Sequence, residues 1–249
     1  MAGTRPIEVH SGQGGAMPEY RVLAFDIFGT TVDWRTGVAE QVAEIAAAQG
    51  VSLDAEAVAD DWRGRYLPSM RRVNDGERGW TYLDTLHRES LDELLAERGL
   101  DFPEDVRRAL VRAWHRLPAW PDSVPGLARL REKYVVAALS NGGFSLLTNL
   151  IKAAGLPFDC VLSAELARRY KPAPEPYLTA AELLDVRSEE VLMVACHSWD
   201  LDGARAAGLG TAFVERPREK GPHGADRPGE VEVDVTAGDF TELADRLGC

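Results

Sequence analysis

The chain of 249 residues is long enough for one large domain, or for a core domain with a smaller one attached. Its net charge of −12 argues against nucleic acid and anionic membrane surfaces as partners, and no apolar run is long enough to span a bilayer. Three cysteines without a metal-binding spacing, and an N-terminus without an apolar segment, favour a cytoplasmic protein with a flexible leader over 1–19.

The first predicted strand, Val22–Phe25, is a short continuous apolar run, which is typical of a strand buried on both faces of a parallel sheet. Asp26 follows it directly, at the end of the strand where ligands bind in open α/β sheets. Gly29 allows the backbone to turn there, and Thr30 and Thr31 bring hydroxyls close to the acid. Taken alone, this stretch fits a ligand site and an ordinary Asp turn about equally well.

Four helices are predicted next, with no second strand among them, so this segment is an insertion rather than a crossover of the usual length. We expect Thr36 to cap the first helix and Gly50 to end it. The apolar periodicity predicts the other three helices at about 54–70, 82–98 and 103–117.

After residue 118 the pattern becomes an alternation of strands and helices, which predicts a doubly wound parallel sheet. Its later strands are expected at 135–139, 161–162, 191–195, 211–214 and 231–233. The predicted architecture is an α/β core domain with an inserted helical cap domain. The core would comprise 20–36 and 119–249, and the cap 37–118.

Polar side chains end or closely follow the predicted strands at four places: Asp26, Ser140–Asn141, Lys171, and a run that closes with Asp200. Because the carboxyl ends of parallel strands share one edge of the sheet, we expect these groups to converge. A carboxylate, a hydroxyl, an amide, an ammonium and a second carboxylate in one cleft indicate covalent catalysis by a carboxylate. Lys171 would keep Asp26 ionised.

Four segments of the core, in order, resemble the motifs of the haloacid dehalogenase superfamily: Phe25–Thr30, Leu139–Gly142, Tyr170–Pro172 and Ser198–Asp200. Together they cover nearly the whole predicted core domain. The resemblance implies a Rossmann-like core with a cap, which agrees with the architecture derived from the pattern of elements.

Within the superfamily, the phosphatases carry a second Asp as general acid where this chain has Phe28. They also carry a Mg²⁺-binding acid near the position of 195–197, where this chain has Ala, Cys and His. Trp62–Arg63 in the predicted cap matches a Trp-Arg pair of the L-2-haloacid dehalogenases, whose Arg binds the leaving halide. The chain is therefore most similar to that subfamily.

The resemblance implies hydrolysis of short 2-haloacids, such as haloacetates and L-2-halopropionate, through an ester on Asp26, with fluoroacetate among the candidate substrates. The residues that it implies in catalysis are Asp26, Thr30, Ser140, Lys171 and Asp200. Those that it implies in binding substrate or halide are Ile27, Phe28, Arg63, Tyr82, Asn141, Tyr177 and His197, with Trp80 as the alternative to Tyr82. It implies no cofactor and no metal, and its partners would be a small anionic haloacid and halide. A homodimer is left open.

Two positions depart from the family pattern, because Ala195 and His197 stand where a Ser and an Asn are usual. A histidine is bulkier and carries a proton near neutral pH, so it is expected to favour the smallest substrates. Two other interpretations compete with a dehalogenase: a phosphatase-like hydrolase on the same scaffold, and an inactive family member. On helical pattern alone, Arg63 is a solvated surface arginine and Asp200 a helix cap.

Overall fold

A computed structural model describes residues 19–249, so nearly all of the predicted leader, 1–19, lies outside the described residues. Six parallel strands form one sheet in the order β3-β2-β1-β4-β5-β6. They are β1 (Val22–Phe25), β2 (Val135–Ser140), β3 (Cys160–Ser163), β4 (Val191–Ala195), β5 (Gly210–Val214) and β6 (Val235–Ala237). The predicted fold class, a doubly wound parallel sheet with inserted helices, is confirmed.

Ten α-helices connect and cover these strands within residues 19–249. Five follow β1 before the chain reaches β2: α1 (Trp34–Ala48), α2 (Ala55–Gly64), α3 (Tyr66–Asn74), α4 (Leu83–Glu97) and α5 (Glu104–Val111). The other five are α6 (Ser123–Leu130), α7 (Phe144–Ala154), α8 (Pro174–Leu183), α9 (Ser198–Ala206) and α10 (Phe240–Arg246). No helix in this part of the chain is long and apolar enough to cross a membrane. The division of the chain at residues 37 and 118 remains a prediction.

The centre of the sheet explains the continuous apolar sequence of β1. Leu23 and Phe25 belong to one buried cluster, which extends into the inserted helices through Leu91 and Trp114. Val22 and Ala24 point to the opposite face and join a second cluster, formed with α8 and α9. Both faces of β1 are therefore covered by apolar side chains, as expected for a central parallel strand.

The position of β1 also determines where the polar strand ends meet. Phe25 pairs with Ala138 of β2 on one side and with Val194 of β4 on the other. The strand order reverses at this point, and a crevice opens beyond the carboxyl ends of the strands. Asp26, the next residue, donates its backbone N–H to the carbonyl of Val194 and so is fixed at the middle of this edge.

Three of the predicted helices differ from the observed ones. The helix predicted at 103–117 ends at Val111, and a 3-10 helix follows it over Arg112–His115. Asp33, rather than Thr36, caps α1, because its side chain accepts a hydrogen bond from the backbone N–H of Thr36. The predicted helix over 54–70 is two helices, α2 and α3, which meet at Arg65. Pro68 accounts for the break, since its ring would clash with the carbonyl of Gly64 in a continuous helix.

The predicted strand at 231–233 is wrong, and the sixth strand is β6 instead. The Val-Glu-Val alternation resembles a strand, but these residues form no ladder. Asp234 explains the later start of pairing: its side chain and its backbone N–H both bond to the backbone of Thr211 at the start of β5. Pairing therefore begins one residue later, with Val235 beside Ala212.

Candidate active site

Asp26 lies at the carboxyl end of β1 with both of its carboxylate oxygens held by other side chains. Lys171 Nζ is 3.1 Å from Oδ1, and Thr30 Oγ1 donates a 3.0 Å hydrogen bond to Oδ2. The residue is only 5% exposed. Burial alone would raise the pKa of Asp26, but the charges of Lys171 and His197 and the hydrogen bonds from both lower it well below its ordinary value. Asp26 is thus an ionised carboxylate in a largely dry setting.

Lys171 links this carboxylate to Asp200. Its buried ammonium group also donates to Asp200 Oδ2 at 2.5 Å and to the Leu139 carbonyl at 2.9 Å, so all three of its protons are used. Burial would lower the pKa of Lys171, but the two carboxylates raise it, and the lysine is therefore charged. Tyr177 donates a 2.6 Å hydrogen bond to the other oxygen of Asp200. Burial raises the pKa of Asp200, although Lys171 opposes that shift.

His197 contacts Asp26 from the opposite side. Its Nδ1 is 3.2 Å from Asp26 Oδ2, and its Nε2 is 3.3 Å from Glu219 Oε1. Burial would lower the pKa of His197, but its neighbours Cys196, Glu219 and Asp26 raise it well above the ordinary value. An imidazolium with both N–H groups donating therefore bridges two buried carboxylates.

Glu219 was not expected from the sequence, because it lies in an irregular segment after β5 that shows no periodicity. It is 2% exposed and accepts a 2.6 Å hydrogen bond from Trp34 Nε1 as well as bonding His197. Gly29 has a φ of +90°, and a Cβ added there would lie 2.7 Å from Glu219 Oε1. The glycine that allows the backbone to turn after Asp26 thus also permits close approach of this carboxylate.

Arg63 projects from α2 into a cavity of about 360 Å³ whose wall also includes His197, Glu219 and Trp34. Its guanidinium lies over two aromatic rings, 4.1 Å from the centre of Tyr66 and 5.3 Å from that of Trp34. Its Nη1 is buried and has no hydrogen-bond partner within the described chain. A buried cationic donor without a partner is costly to a folded protein, so the cavity is suited to a small anion.

Ser140 and Asn141 both lie at this edge of the sheet and are buried. Ser140 Oγ accepts the backbone N–H of Gly142. Asn141 makes two hydrogen bonds with the backbone of Lys171, donating from Nδ2 and accepting at Oδ1, and so fixes the segment that carries the lysine. The side-chain amide of Asn141 therefore binds the backbone of Lys171 and does not line the cavity beside Arg63.

The turn after Asp26 is held by groups from distant parts of the chain. Trp120 Nε1 donates to the Gly29 carbonyl, and Arg216 Nε donates to the Thr30 carbonyl, each at 2.8 Å. Ile27 and Phe28 are buried in the apolar cluster, with Phe28 packed edge-on against Tyr66. Among the backbone hydrogen bonds outside helices and strands in residues 19–249, none uses the amide of Ile27 or Phe28 as donor.

Tyr82, predicted to lie by the halide, is instead 57% exposed and does not line the cavity of Arg63. Its ring packs edge-on against Trp80, which itself lies on Tyr170, 4.7 Å between centres. Tyr66 is the cap tyrosine that contacts Arg63. The sequence did carry a signal for it, because Tyr66 is three residues after Arg63 and such residues are neighbours along a helical path.

The chain matches the family model of haloacid dehalogenase-like hydrolases over residues 20–208. It is 33% identical over 211 residues to (S)-2-haloacid dehalogenase 1 of Pseudomonas sp. (strain CBS-3), which covers 80% of this chain and 86% of that protein. It superposes with a TM-score of 0.90 and 45% identity on the crystal structure of the defluorinating L-2-haloacid dehalogenase Rha0230, covering 92% and 96% of the two chains.

A third relative is the L-2-haloacid dehalogenase from Xanthobacter autotrophicus with chloropropionic acid covalently bound, with a TM-score of 0.78 and 26% identity over 92% of this chain and 98% of that one. These similarities span both the sheet and the inserted helices. They confirm the resemblance that the four sequence motifs indicated. The chain therefore belongs to the haloacid dehalogenase-like hydrolases, and the relatives that it matches there are 2-haloacid dehalogenases.

Proposed function

We propose that this protein hydrolyses short 2-haloacids, releasing halide and a 2-hydroxyacid through an ester on Asp26. The observation that carries the proposal is an ionised buried carboxylate, Asp26, whose neighbour His197 lines a small cavity that also holds an unpartnered guanidinium nitrogen of Arg63. The carboxylate is a nucleophile, and the guanidinium is a donor for a departing anion. The relative with covalently bound chloropropionic acid supports a covalent route.

In the first step, a carboxylate oxygen of Asp26 attacks the α-carbon of the haloacid. The new carbon–oxygen bond forms as the carbon–halogen bond breaks, and the halide leaves with the electron pair towards Arg63. The buried guanidinium stabilises the charge that develops on the halogen. The unused amides of Ile27 and Phe28, together with Ser140, are candidates to hold the carboxylate of the substrate.

In the second step, water attacks the carbonyl carbon of the Asp26 ester, the bond to the substrate oxygen breaks, and the aspartate is restored. Asp200 is the candidate base for this water, because its Oδ2 lies 2.5 Å from the Lys171 ammonium group, which also bonds to Asp26. Burial raises the pKa of Asp200, which makes it a better proton acceptor than an ordinary carboxylate.

The bulky side chains that line the cavity around Arg63 favour the smallest substrates, the haloacetates. His197 and the rings of Trp34 and Tyr66 occupy much of the space around Arg63. Fluoride accepts hydrogen bonds strongly and leaves poorly, so a carbon–fluorine bond would gain most from a cationic donor at this position. Fluoroacetate therefore belongs to the proposed substrate range, and the similarity to a defluorinating enzyme supports this.

Phosphoryl transfer is the competing function on the same scaffold, and Phe28 argues against it. A second acid would have to stand at that position to protonate a leaving alcohol, but Phe28 packs against Tyr66 and Trp114. No group of three or more His, Cys, Asp or Glu side chains in the described part of the chain is arranged to hold a metal ion. An inactive protein is disfavoured by the complete chain of contacts from Asp26 through Lys171 to Asp200.

The test is a substrate panel with the wild-type protein: chloroacetate, fluoroacetate, L-2-chloropropionate, 2-chlorobutyrate and a phosphate monoester. Free halide, hydroxyacid and phosphate are measured in parallel. We expect halide and hydroxyacid in equal amounts, with specificity constants that fall as the substrate lengthens. Phosphate release without halide release would overturn the proposal, and a preference for chlorobutyrate would overturn the argument from cavity size.

A further inference from the structure

The buried pair of His197 and Glu219 has no part in the two steps above, although it touches the nucleophile directly. Both side chains are at most 4% exposed. Holding an imidazolium and a second carboxylate in the interior is costly unless they are well paired. Their position against Asp26 suggests a role in the reaction itself.

The two oxygens of Asp26 have different surroundings. Oδ1 faces Lys171, on the side of the sheet edge that carries Asp200. Oδ2 receives the hydroxyl of Thr30 and the imidazole of His197. Because His197 lines the same cavity as Arg63, Oδ2 is the oxygen on the substrate's side. The oxygen that attacks the haloacid, and later departs with the product, is therefore the one next to His197 Nδ1.

This oxygen needs a proton when the ester opens, since it leaves as the hydroxyl group of the hydroxyacid. We propose that His197 is the general acid that supplies this proton, and that Glu219 is the positioning residue that keeps His197 oriented and charged. The inference rests on the proposed dehalogenase function and adds a catalytic residue to its second step.

The step balances without any further reactant. Water gives one proton to Asp200 as its oxygen bonds to the Asp26 carbonyl carbon, and Lys171 stabilises the negative charge on Oδ1. The bond between that carbon and Oδ2 then breaks, and Oδ2 takes the proton from His197 Nδ1. Asp26 is left as a carboxylic acid that carries the second proton of the water, and His197 as a neutral imidazole. Asp26 gives this proton to His197, and Asp200 releases its proton to solvent, so both carboxylates and the imidazolium are restored and one proton is released for each substrate.

Glu219 is needed because esterification removes one of the two charges that hold the proton on His197. In the free enzyme the imidazolium lies between two carboxylates, but in the ester only Glu219 remains ionised. Trp34 fixes Glu219 by a 2.6 Å hydrogen bond, so the carboxylate cannot turn away when the reaction begins. Glu219 therefore keeps His197 protonated at the stage where its proton is transferred.

Other ionisable groups also contact His197 or line its cavity. They come from α2, from the neighbouring position in the chain, and from the segment after β5: Asp60, Arg63, Cys196, Lys220, His223 and Asp226. Glu219 bonds His197 Nε2 directly, so replacing it should change the pH dependence of ester opening.

The experiment separates the two steps with chloroacetate in rapid-quench measurements on wild type, His197→Gln and Glu219→Gln. Glutamine retains a neutral donor towards Glu219 but cannot transfer its proton. We expect His197→Gln to release about one chloride per molecule at a rate close to wild type, and then to stall. Glycolate release should slow by roughly 10²-fold, at the low end of general acid catalysis. Mass spectrometry should find the ester on the peptide that contains Asp26.

Glu219→Gln tests the supporting role through pH, a readout that a purely structural role would not move. In wild type, ester opening should slow as the pH rises above the pKa of His197. In Glu219→Gln, this slowing should begin at lower pH, because the imidazolium has lost its remaining anion. Glu215→Gln removes a charge from the same segment without touching His197, and its profile should match wild type.

The outcomes are separable. If wild type releases no chloride, the proposed function itself fails. If wild type is active but His197→Gln slows chloride and glycolate equally and accumulates no ester, His197 is not the acid of the second step. If Glu219→Gln shifts the pH profile no more than Glu215→Gln does, Glu219 does not control the proton on His197.

Discussion

Replacing Arg63 by methionine should abolish most of the activity while leaving the fold nearly as stable as wild type. The methionine side chain can follow a path similar to that of the arginine but has no guanidinium group. The departing halide therefore loses a charged hydrogen-bond donor. Hydrogen bonds to charged groups contribute about 1.5–3 kcal/mol, which corresponds to a loss of about 10- to 150-fold in kcat/KM at 1.36 kcal/mol per tenfold.

Two changes in stability oppose each other in Arg63→Met. The variant loses the contacts of the guanidinium with Tyr66 and Trp34, at about 0.5–2 kcal/mol for such cation–π pairs. It also removes a buried nitrogen without a partner, whose cost to the folded state is about 1–3 kcal/mol. The free energy of unfolding should therefore stay within about 2 kcal/mol of wild type, because these two effects nearly cancel.

The assay compares kcat/KM for chloroacetate and bromoacetate with stability in urea, for wild type, Arg63→Met and Arg65→Met. Arg65 is two residues away and forms only half-exposed ion pairs with Glu93 and Glu97, so its variant should keep wild-type kinetics. The loss in Arg63→Met should be larger with chloroacetate, because chloride is the poorer leaving group. An equal loss with both substrates would refute the assignment of Arg63 to the halide, as would a fully active Arg63→Met protein.

Three further predictions concern the metal, the stereochemistry and the pH dependence of stability. Dialysis against EDTA should leave halide release unchanged; loss that Mg²⁺ restores would favour a phosphatase-like enzyme. L-2-chloropropionate should give the D-hydroxyacid on chiral chromatography, since one displacement at the α-carbon inverts it and opening the ester does not; a product of retained configuration would contradict a single displacement. Burial lowers the pKa of His87 from 6.5 to about 3, so only the unfolded chain takes up this proton between those values, and stability should fall as the pH drops from about 6.5 to 3. His87→Met should show a shallower decline in urea unfolding over that range, and an unchanged slope would mean that His87 is not buried as a neutral group.

The sequence predicted the central part of the site because that part follows from sheet topology. Asp26, Ser140 and Asp200 follow parallel strands or open the helix after one, so their convergence needs no knowledge of side-chain packing. Lys171 was predicted to lie at the same edge and to keep Asp26 ionised, and the structure shows the contact at 3.1 Å. The element pattern alone therefore indicated a carboxylate nucleophile beside a cation.

Residues whose place depends on packing were predicted less well. Glu219 lies in a segment rich in Pro, Gly and charged residues, where no periodicity distinguishes a buried acid from an exposed one. Tyr82 and Tyr66 both lie in the inserted segment, and the packing of its helices places Tyr66, not Tyr82, against Arg63. Local hydrogen bonding likewise decided that Asp33, rather than Thr36, caps α1.

The most direct test of a covalent route through Asp26 is a single turnover in ¹⁸O-water, with enzyme in excess over chloroacetate. Water attacks the ester carbonyl in the proposed mechanism, so the heavy oxygen should appear in the carboxylate of Asp26, and the glycolate should remain unlabelled. Asp26→Asn, which is nearly the same size, serves as the control and should release no chloride. Heavy oxygen in the hydroxyl of glycolate after one turnover would contradict the account, because it would mean that water, not Asp26, attacks the carbon.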